Sequence, residues 1–420
     1  MDILFIHQNF PGQFKHLAPA LVQAGHRVVA LTLRVKEPTT WNGVRVLPYR
    51  IKRKPGTGVH PWLVDFESKL LRAESCFLAA QELKKRGFDP DVIVAHPGWG
   101  ESMFLRDVWP AARIGLYFEL FYNAKGGDSG FDPEFPRQNT EFEPLRLRMK
   151  NINNFLHFDI ADKAISPTRF QADSFPDALQ DRISVIHDGI DTDHVRPNPE
   201  VQFDLPEGKG TLSRKDEVIT FVNRNLEPYR GYHIFMRALP QILAARPSAQ
   251  VLIVGGDEVS YGAAPPKGKT WKQIYVDEVR SQIPDSDWRR VHFLGRIPYD
   301  RFLTLLQVSR AHVYLTYPFV LSWSLIEAMS AATPIVASDT APVAEAITHE
   351  ETGLLFDFFD RDALVESVIR VLKDTDLAAR LGENARRHAI GTYDLGNVCL
   401  PAQLDWINSL AGCSPRKPEL

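Results

Sequence analysis

Cysteine is scarce. The chain has three in 420 residues, Cys76, Cys399 and Cys413, with no C-x-x-C. That argues against a disulfide framework and a structural zinc site, and fits a reducing compartment. Charge of one sign is also lacking, since 49 Lys and Arg face 52 Asp and Glu for a net −3. A protein that coats nucleic acid by charge alone is therefore excluded. No uncharged apolar run approaches the ~20 residues a membrane span needs. The opening Met1-Asp2-Ile3-Leu4-Phe5-Ile6-His7 makes a poor signal peptide, so the expected location is the cytoplasm. What remains is ordinary globular composition, 44% hydrophobic and 24% charged, in a chain long enough for two or three domains.

Short apolar runs alternate with amphipathic stretches. Ile3–Ile6, Val28–Leu31, Asp91–Ala95, Ile114–Tyr117 and Lys163–Ile165 read as buried strands. The pattern pauses in a Pro-, Gly- and charge-rich stretch near Val195–Asp216. It restarts with Val218–Asn223, a helix at His233–Ala244, Gln250–Val254, Val291–Leu294, Ala311–Leu315 and Pro334–Ala337. Such alternation means βαβ units and parallel sheets. The expected fold is α/β, with two Rossmann-like doubly wound domains facing across a cleft. Residues 1–200 form the first, 201–216 a linker and 217–385 the second. Helices at 386–410 are expected to pack back on the first domain, before a frayed tail at 411–420. The segment Ala124–Gln138 (AKGGDSGFDPEFPRQ) is an unusually long loop, which is either functional or a bland surface insertion.

Ligands of such sheets bind at the carboxyl ends of the strands. The richest such place is Tyr317–Asp339, YPFVLSWSLIEAMSAATPIVASD, where a strand runs into a loop and a helix opens near Ser322–Ser324. A helix N-terminus attracts anions, and Glu327, one turn in, is placed to accept ribose hydroxyls. Ser324-Leu-Ile-Glu327 also reads as a capping box, which leaves a purely local role for that glutamate open. Phe221–Gly231 (FVNRNLEPYRG) places Arg224 and Arg230 in a second strand-end loop, where guanidinium forks suit phosphate oxygens. Alternatively, Arg230 is a solvated charge and Arg224 pairs with Glu227.

Together with Ile186–Pro197 (IHDGIDTDHVRP), Asp339–Ile347 and Glu351–Phe356, these blocks resemble the donor-binding domain of family-4 retaining glycosyltransferases, enzymes of the GT-B fold. The likeness is strong over about Asp162–Arg380 and weaker before it. It implies a sugar transferred from a nucleoside-diphosphate sugar to an acceptor hydroxyl with retained configuration, in polysaccharide, glycolipid or other glycoconjugate synthesis. No cofactor and no metal are implied. D-x-D strings such as Asp191/Asp193 and Asp285/Asp287 occur at the frequency chance allows. Arg224 and Arg230 would hold the diphosphate, with Ser322, Trp323, Ser324 and Leu325 at the helix opening and Glu327 on the ribose. The family's first glutamate should lie eight residues before Glu327, where this chain has Phe319, so sugar recognition must differ. In the first half, Gly12 would face the donor, His96 and Glu119 the reaction centre, and Asn9, Phe10, Trp99 and Glu101 the acceptor.

The basic run Arg50-Ile-Lys-Arg-Lys54 either touches anionic headgroups, at about 1 kcal/mol per basic residue near a membrane, or is a solvated loop. Two other readings stay open. One is a GT-B sugar-nucleotide epimerase or phosphorylase. The other is a module that binds nucleotide sugars without turnover. A dehydrogenase is disfavoured, because neither half opens with G-x-G-x-x-G.

Overall fold

The computed structural model describes residues 1–136 and 140–414. They divide into two compact units. The first comprises 1–130, the described part of 137–189, and the chain from 396 onward; the second comprises 131–136 and 190–395.

Among the described residues, the first unit holds an eight-stranded sheet. Its order is Thr39–Trp41, Val44–Pro48, Arg27–Thr32, Asp2–Ile6, Val92–Ala95, Arg113–Tyr117, Lys163–Ser166 and Ile183–Val185. Every pairing is parallel except the outermost, Thr39–Trp41 with Val44–Pro48. The strand Asp2–Ile6 pairs with Arg27–Thr32 on one side and Val92–Ala95 on the other. Chain direction across the sheet reverses there, so the loops after Ile6 and Ala95 open side by side.

The second unit has a six-stranded, all-parallel sheet. Its order is Val291–Gly295, Gln250–Gly256, Val218–Asn225, Ala311–Tyr314, Ile335–Ser338 and Leu354–Phe356. Parallel strands are covered on both faces, and theirs are accordingly near-continuous apolar runs. The helix Tyr232–Ala245 lays Phe235 on Phe221 of the central strand, rings 4.5 Å apart and 5° from parallel. Here the reversal lies between Val218–Asn225 and Ala311–Tyr314, so the Arg224–Gly231 and Thr316–Ser322 loops are neighbours.

The stretch expected as a linker, 201–216, instead carries an antiparallel hairpin, Gln202–Asp204 with Thr211–Ser213. Its Val201, Phe203, Leu205 and Leu212 bury against Leu252, Leu305 and Val308 of the second unit. Four apolar anchors outweigh the local Pro, Gly and charge. The expected boundary at 200 accordingly falls at 189/190. The two C-terminal helices divide between the units. Thr375–Tyr393 belongs to the second, while Leu400–Ala411 belongs to the first and packs on its sheet through Trp406 and Leu410. Within 411–420, expected as a frayed tail, positions 415–420 lie outside the described residues, as do 137–139 of the long loop.

Candidate active site

In the second unit the pairing of Val218–Asn225 with Gln250–Gly256 slips between Val222 and Asn225. Such a bulge re-aims the side chains it carries. Arg224 sits in it, exposed, and makes no hydrogen bond or ion pair with any described residue. The alternative partner, Glu227, is engaged elsewhere. Fully buried, it accepts from the backbone N–H groups of Ser260, Tyr261 and Gly262 at 3.1–3.3 Å.

That carboxylate fixes Tyr261, whose ring lies 5.1 Å from the Arg230 guanidinium. Arg230 is buried, not solvated. Its Nη1 donates to Thr316 Oγ1 at 2.7 Å and to the Val320 carbonyl at 3.3 Å, while Nε and Nη2 make no hydrogen bond among the described residues. Gly231 closes this turn at φ +69°, where a Cβ would fall 2.2 Å from Leu315 Cβ. Only glycine lets the turn seat against the next strand. Phe319, in place of the expected carboxylate, packs edge-on to Tyr229 at 5.2 Å and lies 6.0 Å from the Arg230 guanidinium. An aromatic wall therefore stands beside the arginine.

The helix Trp323–Ser330 is capped by Ser322, whose Oγ accepts from Ser324 N–H at 3.3 Å. Its N-cap lies two residues before the one the capping box needs, which removes that reading. Much of the helix opening is already satisfied. Ser322 N–H donates to the Tyr314 hydroxyl and Leu325 N–H to the Ser322 carbonyl, both at 3.1 Å. The Ser322 and Ser324 hydroxyls also bond each other, at 2.9 Å. The Leu325 side chain is core. Glu327 is buried, and its Oε1 accepts from the Tyr299 hydroxyl at 2.7 Å. Sequence reasoning did not single out Tyr299, Tyr261 or Thr316: the first two lie near no recognisable motif, and Thr316 stands one residue before the Tyr317–Asp339 block.

In the first unit, His7 and His96 stand at the ends of the two strands flanking the reversal, rings 5.4 Å apart. Each Nδ1 accepts a backbone N–H, from Asn9 at 2.9 Å and from Gly98 at 3.1 Å. In the neutral rings the proton must then sit on Nε2. The His7 Nε2–H donates to Gln13 Oε1 at 2.8 Å. Nε2 of His96 makes no hydrogen bond among the described residues and lies 3.7 Å from Glu119 Oε2. Burial and the neighbouring His7 hold the His96 pKa well below the usual value, so the ring is a neutral donor at pH 7. Gly12, at φ +50°, would put a Cβ 2.3 Å from the His7 ring. The close approach it allows is to His7.

The expected acceptor residues separate. Asn9 is exposed, and Trp99 is half-buried against His96 at 4.7 Å. Phe10 is core, packed on Phe5 and Trp41. Glu101 is fully buried and accepts from the Tyr49 hydroxyl at 2.6 Å. Burial raises its pKa, so Phe10 and Glu101 support the unit from within. In the basic run, Arg50 pairs with Glu37 and Arg53 with Glu74, while Lys52 and Lys54 have no ion pair among the described residues. No group of three His, Cys, Asp or Glu placed to hold a metal occurs among the described residues. No described helix is long and apolar enough to cross a membrane.

Residues 24–195 match the family described as glycosyl transferase family 4 group, and residues 207–388 the family described as glycosyl transferases group 1. The chain is 26% identical over 215 residues to the D-inositol 3-phosphate glycosyltransferase of Corynebacterium efficiens, a match covering 51% of this chain and 48% of that protein. It thus spans about half the length of the curated relatives it matches. Among solved structures, sucrose-phosphate synthase of Thermosynechococcus elongatus superimposes with a TM-score of 0.73 at 18% identity, over 98% of this chain and 100% of that one. HepE of Anabaena, solved in complex with UDP-glucose, gives 0.65 at 19%, over 97% and 99%. These two are likenesses of fold, and the fold is GT-B. The chain belongs to the family-4 glycosyltransferases.

Proposed function

From that membership we propose that the protein moves a sugar from a nucleoside-diphosphate sugar to an acceptor hydroxyl, with retention at the anomeric carbon and without a metal ion. The observation that carries this reading is the pair of arginines at one strand reversal. Arg224 is unpartnered and exposed, and Arg230 is locked with part of its fork unspent. As the anomeric C–O bond stretches, negative charge grows on the departing diphosphate, and preorganised donors there stabilise the transition state more than the ground state. The acceptor oxygen bonds the anomeric carbon, and its proton leaves with the diphosphate. Glu327, oriented by the Tyr299 hydroxyl, takes the ribose hydroxyls. The neutral His96 donates from Nε2 to a sugar hydroxyl beside Glu119. Lys52 and Lys54 supply weak peripheral attraction to an anionic membrane when the acceptor is lipid-linked.

A thermal-shift screen against UDP-, GDP- and ADP-sugars tests the donor. A ligand at 100 times its Kd stabilises by about 2.7 kcal/mol, so the true donor separates from its relatives. No shift with any of them would sink the reading. A shift without release of nucleoside diphosphate to any acceptor would favour the binding module. Glu327→Gln is expected to weaken a ribonucleoside diphosphate about tenfold, the order of one charge-assisted hydrogen bond, and to leave inorganic diphosphate binding unchanged. Equal losses for both ligands would take Glu327 off the ribose.

A further inference from the structure

The described chain on either side of Phe131–Pro136 belongs to the first unit, yet these six residues are built into the second. Two phenylalanines anchor them. Phe131 packs against Tyr317, Phe358 and Phe359 at 5.1–5.2 Å, and Phe135 meets Trp271 edge-on at 5.4 Å. Glu134 forms a forked pair with Arg237 at 2.6 and 2.9 Å on the outside. Between the anchors the strap buries a carboxylate. Asp132 is 3% exposed. Its Oδ2 accepts from the Tyr317 hydroxyl at 2.5 Å and lies 3.0 Å from His233 Nε2, while its Oδ1 takes the Glu134 N–H at 2.9 Å.

Burying a carboxylate is costly unless its oxygens are matched. Anchoring a strap already pinned by two aromatic rings does not require one. The specific use of Asp132 is to aim Tyr317. The Tyr317 N–H donates to the Tyr229 carbonyl at 3.1 Å, and the two rings lie 4.9 Å apart. Tyr229 adjoins Arg230, whose Nη1 is held by Thr316 and Val320 on either side of Tyr317. We infer that Asp132 is a positioning residue for the diphosphate site, setting Tyr317 and through it the turn that carries Arg230. The inference rests on the proposed function for what that turn binds.

The experiment titrates UDP, GDP and ADP into the wild type, Asp132→Ala, Tyr317→Phe, the double variant and Glu134→Ala. Donor KM and kcat follow with the sugar of the best-binding base. Each single change at 132 or 317 should weaken the diphosphate about tenfold, one buried charge-assisted hydrogen bond, and lower kcat/KM for the donor by at least as much, with kcat itself falling because Arg230 acts on the departing diphosphate. The double variant should be no worse than either single one, because both remove the same link. Glu134→Ala, which loosens the strap without touching Tyr317, should stay within about twofold. Tyr317→Phe deletes one hydroxyl and keeps the test alive if Asp132→Ala fails to fold. Wild-type affinity in Tyr317→Phe, or losses that multiply in the double variant, would overturn the inference alone. A wild type that binds none of the three nucleotides would overturn the proposed function with it.

Discussion

Arg224→Ala should cost about 10²–10³-fold in turnover, the usual loss when one preorganised charge-stabilising donor is removed, and leave the melting temperature where it was. The two halves of that expectation have separate causes. Arg224 is exposed and spends nothing on the protein, so deleting it breaks no native contact and opens no cavity. Its guanidinium is left to a ligand, which makes the whole effect catalytic or binding. Arg230→Ala is expected to lose as much activity and stability besides, because that side chain is buried against Thr316, Val320 and Tyr261. Arg224→Lys should fall between, keeping the charge and losing the fork. Steady-state kinetics beside a thermal melt decide the matter. Unchanged kcat and KM in Arg224→Ala, or a fall in melting temperature with activity retained, would remove this arginine from the transition state.

That Arg224 and Glu327 stand out in the sequence, while Tyr299 and Asp132 do not, has a physical reason. A parallel strand buried on both faces is an apolar run, and the residue where the run ends stands at the mouth of the sheet. Position along the chain therefore announces Arg224 after Val218–Val222. Tyr299 reaches Glu327 across 28 residues, and Asp132 reaches Tyr317 across 185. Sheet order and crossover geometry make those meetings, and no local spacing encodes them. The long Gly- and Pro-rich segment stood out by length alone, which could not tell its buried carboxylate from its solvated ones. The hairpin within 201–216 was hidden for the opposite reason. Its strands are three residues each, too short for alternation to show against the prolines and charges around them. Phe319 was legible as a departure, whereas its packing beside Arg230 depends on Tyr261 and on the Glu227 carboxylate that holds that loop.

Acid should unfold the protein well before its carboxylates are titrated. Burial lowers the pKa of His7, His157, His187 and His312 from 6.5 to about 4, and His96 falls well below the usual value. In the unfolded chain each imidazole takes its proton near 6.5. Between that pH and the lowered value the unfolded state binds more protons, so stability is full above about 6.5 and is lost as pH falls towards 4. At pH 5 each of the four contributes a loss of roughly 2 kcal/mol, against a total stability of about 5–15 kcal/mol for a folded domain. Glu101 works the other way, since its raised pKa relieves a cost on acidification, but it is one group against five. These rings are buried, so added salt should restore little. Urea midpoints at pH 7, 6 and 5 would show the decline. His312→Gln, which retains a hydrogen-bonding group for Thr220 Oγ1, should flatten it by about one proton's slope, near 1.4 kcal/mol per pH unit. A midpoint that stays level down to pH 5 would mean that water reaches these imidazoles in the native state.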